Sequence, residues 1–252
     1  MIQAILRNKI NSEIRDYFKI KEDTLTSSVI GNLLLLPSNF FLEILSKAAY
    51  EKFDYTHYGN LQFHDFWPHW DSQNTSNSNF VEPDVFLSFD NVDIIIEAKR
   101  YDDYQQYRKQ WENEIISYYN EYGKENKNLV FFAIGGINSI KTENLIIENK
   151  EIKIYKIRWK RILYEVDNVT NAIYKIKPYS ENANTLIRIL QVIKQSFELH
   201  GFLSIKWFKE MKVDFIINDR VSINEWIPNR NYFFNLKNDY QINQENIKQW
   251  KQ

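Results

Sequence analysis

Hydrophobic and polar positions fall into two periods along this chain. Ile2, Ile5, Leu6, Ile10, Ile14, Tyr17 and Phe18 recur every three or four residues, which predicts an amphipathic helix over 2–18. Glu22, Asp23, Thr24 and Thr26 precede an apolar run that Pro37 ends, so a second helix is expected between them. Phe40, Phe41, Ile44, Leu45, Ala48, Ala49 and Phe53 predict a third, over 39–55. The period then shortens to two over 61–67, a first core strand, and a Ser- and Asn-rich mobile loop follows over 71–79. Residues 85–89 and 92–96 are apolar runs on either side of Asp90-Asn91, the pattern of a β-hairpin. From 102 to 122, Tyr104, Tyr107, Trp111, Ile115, Tyr118 and Tyr122 make one core-facing helical stripe. A buried strand over 129–134 closes on Gly135-Gly136, and the helix before it makes a crossover, so this strand should run parallel to 92–96. A strand over 152–157 follows a charged connection, and 159–166 starts another helix. After a polar break over 178–184, Leu186, Ile189, Leu190, Ile193 and Phe197 predict a helix stopped at His200-Gly201, with His200 as a favourable cap. The remainder carries no chemical motif and reads as a packing appendage, a specificity element or a partner surface.

Composition narrows the class. The chain has 252 residues, 44% hydrophobic and 26% charged, enough for one sizeable core. We expect an α/β domain over 1–178 and a mainly helical extension over 179–252, packed on the same core or beside it. The formal net charge of -1 leaves no global basic field, so contact with nucleic acid must come from a local surface. With no cysteine, disulfide frameworks and zinc–thiolate sites are excluded. His57, His64 and His69 lack the spacing of a zinc site and are expected on the surface or in a groove. No apolar run approaches the length of a membrane span and residues 1–9 lack a signal-peptide pattern, so the expected compartment is the cytoplasm.

The hairpin carries polar groups where a core belongs. Alternation puts Glu97 and Lys99 on one face of the second strand, and pairing about Asp90-Asn91 returns Asp84 toward Glu97. The bland alternative is an edge hairpin with a solvated Glu97–Lys99 pair. Two carboxylates can hold Mg²⁺ and leave positions for phosphate oxygens and water, while an ammonium orients that water, helps deprotonate it or offsets charge on phosphorus.

Pro83-Asp84, twelve further residues and then Glu97-Ala98-Lys99 resemble the PD-(D/E)xK nuclease superfamily, whose fold is restriction-endonuclease-like. The resemblance spans about residues 20–160 and implies an αβββαβ core with a mixed sheet flanked by helices. It implies a Mg²⁺-dependent endonuclease, with Mn²⁺ as substitute, that hydrolyses phosphodiester bonds of DNA in anti-phage defence or restriction. Asp84, Glu97 and the carbonyl of Ala98 would be metal ligands, with Lys99 beside them. Glu22 would complete the site from the preceding helix; a plain role against that helix's dipole stays equally open. Gln110 would bind phosphate or orient the metal water, the alternative being a solvated helix face. Candidate phosphate contacts are Arg100 and, in the basic run 150–161, Arg158, Lys160 and Arg161. Arg158 and Lys160 share a face if the strand extends that far; a solvated strand face is the other account. A homodimer or a partner protein of a defence system is expected, and no membrane. Two alternatives stand: a nuclease-like binding or scaffold module that needs a partner, and a nuclease for RNA or single strands.

Overall fold

The computed structural model describes residues 21–101, 103–125, 127–176 and 182–204. In chain order these form α1 (Glu22–Leu33), α2 (Ser38–Ala48), β1 (Leu61–Phe66), β2 (Trp70–Asp71), β3 (Phe80–Val81), β4 (Val85–Phe89), β5 (Val92–Ala98), α3 (Arg108–Tyr122), β6 (Asn128–Ile134), β7 (Glu143–Ile147), β8 (Lys150–Ile157), α4 (Trp159–Ile176) and α5 (Ala183–Leu199). The helix expected over 2–18 and everything after 204 lie outside the described residues.

Six strands make one mixed sheet in the order β1-β4-β5-β6-β8-β7, and β2 pairs with β3 apart from it. Apolar runs take the middle, because a strand covered on both faces has no polar side to show. Every residue of β5 is buried, whereas the first strand, β1, is largely exposed and forms one edge. β4 and β5 pair antiparallel with Val85 opposite Ile96, and β5, β6 and β8 run parallel, as the crossover helix requires. Val85, Leu87, Ile94, Ile96 and Ala98 pack under α1, α2, α4 and α5. Phe86, Ile95, Phe131 and Ile154 face α3 and the small β2–β3 ribbon. The architecture is therefore α/β, a mixed sheet flanked by helices. Ile187, Leu190, Ile193 and Phe197 of α5 belong to the same core as α1 and α4. The unit containing them runs from Met1 to Ile205; a second, Lys206–Gln252, lies outside the described residues.

Several local expectations are corrected. The third helix stops at Ala48, yet Phe53 still enters the core, its ring 5.0 Å from that of Phe132. Helix α3 begins only at Arg108, so Tyr104 and Tyr107 are exposed and not part of a core stripe. The backbone before it is committed elsewhere, since the N–H groups of Gln105 and Gln106 both donate to Gly136 O, at 2.9 and 3.0 Å. The 71–79 segment is fastened to α3: Ser76 N donates to Asn113 Oδ1 at 3.2 Å and Asn120 Nδ2 to Gln73 O at 2.8 Å. The charged connection before β8 contains an edge strand, β7, whose single buried residue, Leu145, left no periodic signal.

Candidate metal centre

The site lies at the C-terminal end of β5. One step beyond the Val85–Ile96 pair, the hairpin register sets Asp84 opposite Glu97, both on the face toward α3. Asp84 Oδ2 accepts the Ala98 N–H at 2.7 Å. The Ala98 contact is thus its amide, while the resemblance implies its carbonyl. Glu97 Oε1 accepts from both Lys99 Nζ and Gln110 Nε2, the latter at 2.7 Å. Gln106 holds the strand end from below, its Nε2 donating to Glu97 O at 3.0 Å while its Oε1 accepts Trp111 Nε1 at 2.7 Å. Glu22, first residue of α1, reaches the same place: one oxygen accepts Lys99 Nζ at 3.2 Å and the other the Arg100 N–H at 3.0 Å. Its carboxylate is engaged across the fold. The helix start is closed by Thr24, whose hydroxyl accepts Lys21 N at 3.0 Å. Asp84, Glu97, Lys99, Glu22 and Gln110 are all brought together.

Placing these groups among apolar strands changes their ionisation. Burial first, and then the Glu97 carboxylate, push Asp84 up to about 8, although the Ala98 amide and Lys99 pull the other way. Glu97 is also raised by burial, against the pull of Lys99. For Lys99, burial favours the neutral amine, but Glu97, Glu22 and Asp84 outweigh it and hold the ammonium above the ordinary lysine range. Three upward shifts at one strand end, two acids toward the neutral form and one amine toward the charged form, mark a candidate functional site.

Glu114 is a residue that sequence reasoning passed over. It is wholly buried, and neither of its oxygens meets a hydrogen-bond donor. Its neighbour is the Glu97 carboxyl, so one of the two carries a proton; burial, then the Glu97 charge, place that proton on Glu114. The signal was in plain view: Gln106, Gln110 and Glu114 repeat every four residues along the face that meets Glu97.

The basic run does not form one phosphate-binding face. β8 ends at Ile157 and α4 starts at Trp159, so Arg158 and Lys160 do not share a strand face. Arg158 pairs with Asp103 at 2.8 Å, and Lys153 with Glu51 at 2.5 Å. Lys156 is buried, 2.7 Å from Glu143 and 4.1 Å from the centre of the Trp111 ring. Arg161 closes the end of α2, with Nε 2.5 Å from Ala48 O and its guanidinium over Tyr50. Arg100 lies beside the site with its guanidinium 5.3 Å from the Tyr101 ring centre. His57, His64 and His69 are exposed, and His69 pairs with Glu82 at 2.7 Å.

The donors suit a hard cation, because they are carboxyl oxygens, and a cation between Asp84 and Glu97 would offset the burial that raises both. Among the described residues no group of three or more His, Cys, Asp or Glu is disposed to hold a metal ion together, and Glu22 is turned to Lys99 and Arg100. This is a two-carboxylate site with a third acid in reserve.

No family model matches the chain. It is 37% identical over 247 residues to the uncharacterized protein PM0110 of Pasteurella multocida (strain Pm70), covering 88% of this chain and 90% of that protein. At that identity and coverage, the chain belongs to the same family as the Pasteurella protein.

Proposed function

We propose that this protein is a divalent-metal-dependent phosphodiesterase that hydrolyses nucleic acid, DNA foremost, on a restriction-endonuclease-like core of the PD-(D/E)xK superfamily. One observation carries the reading: Asp84 and Glu97 meet across the hairpin with the Lys99 ammonium on Glu97, and Glu22 closes the group from α1. The element order supports it, since α1, β1, β4, β5, α3 and β6 follow αβββαβ once α2 and the two-residue strands β2 and β3 are set aside.

Asp84 and Glu97 would hold Mg²⁺ or Mn²⁺, with Glu22 and the Ala98 carbonyl as further donors. The ion supplies charge for the phosphate oxygens and lowers the pKa of a bound water. Lys99, held as an ammonium by its carboxylate neighbours, offsets negative charge on the phosphate and orients water; it is poorly placed to act as a base. Gln110 and Gln106 fix the side chain and carbonyl of Glu97. Water adds at phosphorus as one P–O bond breaks, leaving a phosphate monoester and a hydroxyl.

A second reading, a nuclease-like binding module that works with a partner, draws on the net charge of -1 and on the internal pairing of Arg158 and Arg161. Setting in phage defence or restriction rests on the resemblance. Assembly as a homodimer or with a partner follows from the need to reach two strands.

The test is incubation of the purified chain with supercoiled plasmid, linear duplex, single-stranded DNA and RNA, in Mg²⁺, Mn²⁺ or EDTA. Cutting should require the metal and fall by roughly 100-fold or more in Lys99→Ala, the scale of losing one charge-stabilising group. Equal cutting by wild type and variant removes the assignment, and no cutting in any arm favours the binding module.

A further inference from the structure

Between Lys99 and α3 several backbone groups are tied to the turn after β6, while three tyrosine rings stand exposed. Tyr101 O accepts Gly136 N at 2.5 Å, and Tyr101 N donates to Gln105 Oε1 at 3.1 Å. Gln105 and Gln106 are tied to Gly136 O, and the Gln106 side chain to Glu97 O, while Asp103 is paired with Arg158. Both ends are thus tied to the Gly136 turn that follows β6, and the Gln106 side chain adds a link to the strand that carries Glu97. The aromatic rings on this frame point outward: Tyr101 is 60% exposed, Tyr104 78% and Tyr107 65%. Tyr104 also has φ of 60°, a left-handed backbone that a bulky side chain adopts at a cost, and such cost concentrates at working sites. A loop with no further task would place polar, unstrained residues here.

We propose that Tyr101, Tyr104 and Tyr107 form a stacking platform for unpaired bases, so that the site takes single-stranded nucleic acid or a frayed or flipped segment in preference to continuous duplex. This rests on the phosphodiesterase reading and narrows its substrate. Tyrosine rings stack on any base whose face is free, and in an intact duplex those faces are covered. Duplex binding leans mostly on phosphate contacts, and here Lys156 is buried, Arg161 is held on backbone carbonyls, and Lys153 and Arg158 pair with acids at the surface.

The experiment is fluorescence anisotropy with the full chain in EDTA, so that binding is read without cutting, using a labelled oligo-dT and a duplex of equal length. The single strand should bind more tightly than the duplex. Tyr104→Ala and Tyr107→Ala should each lose ~10-fold in affinity for it, the scale of one stacked base, while Tyr104→Trp keeps it. Because these side chains are exposed, the variants should melt like wild type. Equal affinity for duplex, unchanged affinity in the alanine variants, loss in Tyr104→Trp as large as in Tyr104→Ala, or binding of a protein on this loop with neither oligonucleotide bound would each overturn the inference. The two readings fail separately: Lys99-independent cutting with tyrosine-dependent binding sinks only the assignment of chemistry, and the reverse sinks only the platform.

Discussion

Asp84 is a carboxyl group whose strongest charged influence is another carboxyl, in a place water hardly reaches. Its ordinary value lies near 4, and in the fold burial and Glu97 raise it to about 8. Between those values the folded chain keeps a proton that the unfolded chain has released, so stability falls as pH rises through that window and levels off above it. We expect the melting temperature in EDTA to drop from pH 5 to pH 8.5, with a shallower slope in Asp84→Asn. Mg²⁺ should restore wild type more than the variant at the alkaline end. A flat wild-type profile, or one that rises, would contradict the assigned protonation. The same residue shows what was readable beforehand. Asp84, Glu97 and Lys99 were legible because polar groups interrupt an apolar hairpin at fixed spacing. The partners of Arg158 and Arg161 were not legible, because a run of like charges does not reveal whether each has an acid or a carbonyl waiting elsewhere in the chain.

At the scale of the element, the strand that carries Glu97 and leads to Lys99 depends on the turn that follows its neighbour. Gly135 and Gly136 leave β6 with φ of 68° and 59°, and a Cβ on Gly135 would sit 2.0 Å from Lys99 O. That carbonyl also accepts Trp159 Nε1 at 2.8 Å, which ties the lysine backbone to the start of α4. Gly135→Ala should therefore displace Lys99 and lower activity at least 10-fold while destabilising the fold by ~1–3 kcal/mol, the cost of backbone strain at such a position. Urea unfolding and cutting assays on the same sample check it; unchanged activity would separate the turn from the lysine. The glycine pair was visible as the end of an apolar run. The close approach was not, because it joins residues 36 positions apart through a backbone atom that carries no sequence signature. The late start of α3 was hidden for a related reason, since tyrosines at helical spacing look alike whether they pack or protrude.

Over the whole molecule, the helices on one face are joined by polar clasps. Arg161 of α4 donates to the carbonyls of Lys47, Ala48 and Ala49, where α2 would otherwise end on unpaired acceptors. Arg161→Ala should cost about 1–3 kcal/mol in unfolding free energy, with nucleic-acid affinity and its salt dependence unchanged. A weakened salt slope would return the residue to the phosphate surface. The general plan, an α/β sheet with a parallel crossover, followed from periodicity. The role of α5 did not, because nothing in its amphipathic pattern says which helix it meets. It meets α1: Asn32 Nδ2 donates to Ser196 Oγ at 3.2 Å, and His200 Nε2 lies 3.1 Å from Thr24 Oγ1, two residues beyond Glu22. The acid that closes the site from the start of the described chain is thus steadied by its last helix. On the proposed phosphodiesterase reading, a chain cut before α5 should lose this support of Glu22 and with it metal-dependent cutting, so the chemistry waits on nearly the whole described fold.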